Sequence, residues 1–264
     1  MGRSLFAHAI VTAASLAAAT AAHAGLFSFA ADSNSNQWTI AGSAESGGFF
    51  AVNSPLTSPI TLLVAGDGGP LPALSVQANL VVNLTAQLAG TTPIFGSVYE
   101  HDYSVSGTVQ FVNPNNSADV WLTITLGSAQ PSGLVVIGGQ NTWNSSGNIQ
   151  GSSATSSVSY TASASFQNVL NGLATGGATA ASYGVTAGTV SSNTDFGFTL
   201  TVLNQGPPTG TGVNGNVALD PQTGLPTTSW RAESSFSGSA IIPAPGSLAI
   251  MGFGGLIAAR RRRD

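Results

Sequence analysis

The chain has 264 residues, room for one or two domains and a sizeable core. Only 6% of the residues are charged, where about 25% is usual, the formal net charge is −4, and all six basic residues are arginine. Without lysine there is no P-loop or Schiff-base chemistry and no surface suited to phosphate backbones, and without cysteine there are no disulfides, thiolate nucleophiles or Cys-ligated metals.

The first segment reads as a secretory signal peptide. Met1-Gly2-Arg3 carries one positive charge, an apolar alanine-rich stretch runs from Leu5 to about Ala22, and small residues follow at Ala22 and Ala24. These are the two positions a signal peptidase reads, so cleavage is expected between Ala24 and Gly25, with residues 1–24 as a signal helix. The body, residues 25–240, would then lie outside the cytoplasm.

Within the body the period is two. Short apolar runs at Trp38 to Ile40, Phe49 to Val52 and Ile60 to Ala65 read as strands, followed by a clean alternation of Leu74, Val76, Ala78, Leu80, Val82 and Leu84 with mostly polar neighbours. Ile94 to Tyr99 reads as a further strand. The same alternation returns at Tyr103 to Phe111, Val120 to Leu126, Val158 to Phe166 and Phe196 to Val202, with shorter runs at Leu134 to Ile137 and Trp230 to Phe236. A helical spacing competes at Phe166, Val169, Leu170 and Leu173, weakened by Asn171 and Gly172. The Ser-, Gly- and Asn-rich stretch from Thr142 to Ser159 reads as a long loop, and Asp67-Gly68 and Asn214-Gly215 read as tight turns. Ten or so strands joined by Gly, Asn, Ser and Pro clusters predict an all-β, antiparallel β-sandwich of jelly-roll type.

Candidate sites within the body are few. Glu100-His101-Asp102, between Tyr99 and Tyr103, is the densest titratable cluster and holds the only histidine beyond residue 24. In a strand the two carboxylates share one face and His101 takes the other, so the three do not converge, although the carboxylates are spaced about as a glycosidase pair requires. Asp32-Ser33-Asn34-Ser35-Asn36 opens like a calcium loop, but Gln37 and Ser43 stand where an EF-hand needs Gly and Glu. Gly210 to Gly215 spells G-x-G-x-x-G after Pro207-Pro208 with no helix behind it, which reads as a loop. No G-x-S-x-G elbow occurs. Trp121, on the face of Thr123 and Thr125, and Trp143, between two asparagines, are the tryptophans expected to be exposed and able to stack on sugar rings. No catalytic, cofactor or metal site is expected.

The tail, residues 241–264, has its own grammar. Pro243-Ala244-Pro245-Gly246 is followed by twelve apolar or glycine residues, Leu248 to Ala259, then Arg260, Arg261, Arg262 and Arg263. As a helix the apolar run spans about 18 Å against a hydrocarbon core of about 30 Å. Flanking residues and extended arginine side chains bring it near spanning length, with the arginines on the cytoplasmic side. Proline pair, brief glycine-rich hydrophobic helix and terminal arginine cluster, behind a signal peptide, resemble the PEP-CTERM sorting signal of Gram-negative bacteria. The resemblance covers about 22 residues, Ile242 to Arg263. Pro243 and Pro245 match the motif prolines, and Ala244 stands where the family has glutamate.

What the resemblance implies is processing near the proline pair by an exosortase, after transient inner-membrane contact through the C-terminal helix. The implied destination is secretion or the cell surface; together with a body that lacks a catalytic constellation, this leads to the expectation of a non-enzymatic structural or adhesive protein associated with extracellular polysaccharide, as in a biofilm matrix. Its expected partners are signal peptidase, the exosortase and that polysaccharide, with no nucleic acid and no cofactor. A secreted carbohydrate-binding module, or less readily a glycan hydrolase or lyase, stands as the alternative. Removal of both signals would leave nine acids against Arg231, a net charge of −8.

Overall fold

The computed structural model describes residues 23–29, 38–41, 49–53, 58–66, 71–127, 132–139, 142–152, 157–191, 194–201, 205–208, 214–216, 219, 226–227 and 230–242. The signal segment up to Ala22, the tail from Pro243 and the Asp32 loop lie outside them. The all-β, antiparallel class expected from the alternation is the observed one. Thirteen strands join in a single sheet.

Two long strands organise it. Strand β5 (Leu74–Phe95) pairs from Asn79 to Phe95 with β6 (Val98–Asn113). Alternation explains the pairing: Leu74, Val76, Ala78, Leu80, Val82, Leu84 and Ala86 are buried on β5, facing the interior with Tyr103, Val105, Val109 and Phe111 of β6. Each strand is too long for one further neighbour. Along the free edge of β5, β4 (Ser58–Gly66) pairs with its first part and β3 (Phe49–Asn53) with its middle. Along the free edge of β6, β7 (Asn116–Leu126) and β8 (Ser132–Gly139) divide the length in the same way.

The last strand, β15 (Trp230–Ile242), faces β5 across this gap. Two short pairs fill the gap end to end: β1 (His23–Phe29) with β4, and β2 (Trp38–Ala41) with β3. From β15 the ladders continue through β12 (Thr194–Thr201) and β9 (Thr142–Ser152) to β8. The path β1, β4, β5, β6, β8, β9, β12, β15 therefore returns to β1, a closed circuit of eight strands. Beside it, β10 (Val158–Ala162) and β11 (Gly188–Val190) extend the sheet from β7. The strands β13 (Gln205–Pro208) and β14 (Asn214–Asn216) form a second, two-stranded sheet, with β13 lying near β15.

Inside lies an aromatic cluster. Phe29, Phe111, Phe196, Phe198 and Phe236 are all buried, and Phe236 has its ring centroid 4.9 Å from Phe198 and 5.8 Å from Phe29. Phe27 stacks on Tyr160 at 5.7 Å, and the Tyr160 hydroxyl donates to the Asp195 carbonyl at 2.5 Å. The helix α1 (Ala164–Leu173) covers one end of this core. Ser163 caps it by accepting from the Phe166 amide, and Phe166 and Leu170 face inward.

Four local expectations change. The Ile94–Tyr99 run is a hairpin tip: β5 ends at Phe95, β6 starts at Val98, and Gly96 takes the positive φ of 55° that a two-residue turn between twisted strands requires. Residues 142–152 form β9, because both edges of that polar stretch are taken by β8 and β12. The run from Val158 to Phe166 stops as a strand at Ala162, where the competing helical spacing takes over. Asn171, which counted against that helix, accepts from the Ala180 amide at 2.7 Å and ties it to the following 3-10 turn. Asn214-Gly215 lies within β14 and is not a turn, while Asp67-Gly68 is outside the described residues.

Candidate functional site

The first and last described strands meet in one ladder. On β1, His23 pairs with Ile242, Ala24 with Ile241 and Gly25 with Ala240 of β15. Gly25 is also paired on its other side with Gly66 of β4. The expected signal-peptidase bond, Ala24–Gly25, thus sits inside the sheet. Pairing also runs two residues past the expected body limits of 25 and 240. The residues expected to form the sorting signal, Pro243, Ala244, Pro245, Gly246 and Arg260 to Arg263, lie outside the described residues, as does Ala22. Among the described residues no helix is long and apolar enough to cross a membrane.

The titratable cluster divides as alternation requires. His101 is fully buried, and its Nδ1 is 3.0 Å from the Thr91 hydroxyl on the opposite strand, whereas Glu100 and Asp102 are half-buried on the outer face. Desolvation by burial holds the imidazole below its ordinary pKa of 6.5, and the neighbouring Asp102 charge opposes that shift. The imidazole and the carboxylates are separated by the sheet itself, and no single substrate position meets all three. Among the described residues no group of three or more His, Asp or Glu side chains could hold a metal ion.

Trp121 corrects an expectation. The strand period puts it outward with Thr123 and Thr125, yet it is 5% exposed. The cause is a β-bulge. Phe111 pairs with Leu122 and Val112 with Val120, so Trp121 is the extra residue and is turned inward beside Leu122. Its ring stacks on Phe166 of α1, with centroids 6.1 Å apart, and its Nε1 donates to Asp119 Oδ2 at 3.0 Å. The same oxygen accepts from Asn113 Nδ2 and Ser165 Oγ, each at 3.0 Å. Hydrogen bonding, led by Asn113, holds the Asp119 carboxyl below its ordinary range. This hub joins the β6–β7 turn to α1, so Trp121 offers no face to a sugar ring. The side chain of Trp143 is outside the described residues, although its backbone pairs with Gly138 in the β8–β9 ladder.

One surface was not singled out from the sequence. Register aligns Asn83, Thr108, Thr125 and Ser159 in a row across β5, β6, β7 and β10, and Gln110, Thr123, Thr161 and Thr189 in a second row reaching β11. Thr161 and Thr189 hydroxyls lie 2.9 Å apart, and on the neighbouring strands Gln77 Nε2 donates to Thr61 Oγ1 at 2.9 Å. None of these side chains is charged. Every one both donates and accepts hydrogen bonds. The period-two reading marked the polar positions; only the register shows that they fall in line.

Comparison of the chain with family models, with curated proteins and with solved structures finds no match.

Proposed function

We propose that this is an exported, non-enzymatic surface or matrix protein of a Gram-negative bacterium, delivered by its signal peptide and sorted by an exosortase through the PEP-CTERM-like tail. The observation that carries this reading is the order of features at the ends: Ala22-His23-Ala24 behind an apolar segment, and Pro243 and Pro245 ahead of a short apolar run and Arg260 to Arg263. Supporting it, β1 and β15 bring the two junctions side by side, so that removal of both signals trims one end of the body and leaves its core residues in place. In fold terms we read the body as a flattened, sandwich-like closure, supported by β10 lying against β12, where the Thr194 hydroxyl donates to the Val158 carbonyl at 2.9 Å. Fractionation of the source cell tests the reading. The protein is expected outside the cytoplasm with a mass lacking residues 1–24 and the arginine cluster, and deletion of residues 243–264 is expected to leave it in the periplasm. A cytoplasmic, full-length product would overturn it.

A second reading, a carbohydrate-binding module, is favoured by the uncharged hydroxyl and amide rows of β5, β6, β7, β10 and β11 and no longer by Trp121. Hydroxyl-bearing neutral polymers satisfy such groups without any charge to desolvate. Retention on neutral polysaccharides that persists in high salt and is lost in Thr125→Lys supports it, whereas equal retention of the variant removes this face from consideration.

A further inference from the structure

The tip of the β5–β6 hairpin carries the most exposed large apolar side chains among the described residues. Phe95 is 72% exposed and Ile94 is 49% exposed. Strand β5 ends at Phe95, β6 begins at Val98, and the two residues pair around Gly96 and Ser97, so both apolar side chains stand at the turn itself. Every residue from Thr91 to Ser97 is exposed. Folding leaves this apolar point in water, which is the property of a surface that meets something else.

Size, charge and depth select what it meets. A stable protein interface takes about 800 Å² from each partner, whereas an aromatic side chain supplies about 150–250 Å², so two side chains at a two-residue turn fall well short of one. A lipid surface needs no matching groove and takes up such apolar anchors singly. No charged residue occurs between Asp67 and Glu100 or from Ser132 to Ser152, and the ends of β8 and β9 lie beside the tip, where Gly139 pairs with both Val98 and Thr142. The tip therefore desolvates no ion on entering an apolar medium, and it holds no cation to attract an anionic headgroup. The first carboxylate behind the turn is Glu100, paired with Thr92. Two residues past Val98, it stands about 7 Å back along the strand, and apolar faces in a membrane interface are buried about 5–10 Å. Glu100 thus stops at headgroup level. Half-buried Tyr99, paired with Pro93, brings an aromatic ring with a hydroxyl to the same level, the place such rings favour at membrane surfaces.

We propose that the β5–β6 hairpin tip is a membrane-interface anchor: Ile94 and Phe95 enter the boundary between headgroups and acyl chains of an uncharged lipid surface, Tyr99 lies at its water side, and Glu100 limits the depth. Two side chains give reversible attachment, not permanent insertion. The contact is made by the folded body and does not depend on the sorting tail.

A dye placed at the tip tests this in the full-length chain and separates the tip's contact from any that the tail makes. Because the chain has no cysteine, Ser97→Cys takes a single environment-sensitive dye, and Ser117→Cys, exposed at the opposite end of β6, takes the same dye as a reference. With phosphatidylcholine vesicles, emission from position 97 is expected to shift to the blue and to be quenched by a lipid-borne quencher, while position 117 does not respond. Adding Ile94→Ser and Phe95→Ser is expected to raise the lipid concentration for half the response at least about tenfold. Leu173→Ser, which removes an exposed apolar side chain at the end of α1, is expected to leave it unchanged. All of these positions are exposed, so the core stays intact. No response at position 97, or an equal response in the double variant, overturns the proposal. A response abolished by high salt overturns it as well, since screening acts on charges and not on apolar contact. A blue shift that grows with protein concentration in the absence of vesicles assigns the tip to a second copy of the chain and overturns the lipid contact.

Discussion

His101 and Trp121 show how single residues in this chain are governed by what the sheet does around them. His101 is the only histidine beyond residue 24, and burial of its ring holds its pKa down by desolvation. Because the folded-state pKa lies below the ordinary 6.5, the unfolded chain takes up the proton first. The stability contributed by the neutral ring is complete above about pH 6.5 and is lost as pH falls toward the lower folded-state pKa. Urea titrations of the chain from Gly25 are expected to show a midpoint that declines between about pH 7 and pH 5, and His101→Gln is expected to flatten that decline. A wild-type midpoint constant over this range would contradict the burial. Trp121→Ala is expected to cost about 3–5 kcal/mol in the same assay, the range for deleting a buried aromatic, since it leaves a cavity against Phe166 and strips a donor from Asp119. A loss below about 1 kcal/mol, typical of an exposed site, would return Trp121 to the surface.

Among the elements, length and alternation were legible in advance and neighbours were not. The buried positions of β5 are the apolar ones of the period-two pattern, because each strand residue chooses a face locally. Which strands lie beside β5 depends on contacts between segments far apart in the chain, and the two short pairs that share its free edge leave no trace in composition. The polar β9 shows the same limit. It carries few apolar residues, yet hydrogen bonds to β8 and β12 make it a strand where the residue pattern alone suggests a loop. At Gly107 the structure demands glycine: its φ is 129°, and a Cβ there would press on the Asn83 carbonyl oxygen at the point where β6 passes from β8 to β7. The junction ladder belongs to this scale too. The sequence motifs mark where cleavage is expected, and the β1–β15 register determines that the two marks face each other.

For the molecule as a whole, charge is the simplest determinant. A body of nine acids and one arginine has almost no complementary pairs to screen, so added salt weakens repulsion more than attraction. Raising NaCl from about 10 mM to about 500 mM, which shortens the Debye length from about 30 Å to a few ångströms, is expected to raise the melting temperature. A fall would reveal stabilising ion pairs. By itself the sequence determined the all-β class and the polar and apolar faces of the long strands, since each is written in the type and spacing of near neighbours. Only the tertiary structure decided that the sheet closes on itself, that a bulge buries Trp121, that uncharged side chains align in rows, and that Ala24 and Ile241 meet. Those features depend on register between strands distant in the chain, and a slip of one residue would reverse the faces without altering the local pattern.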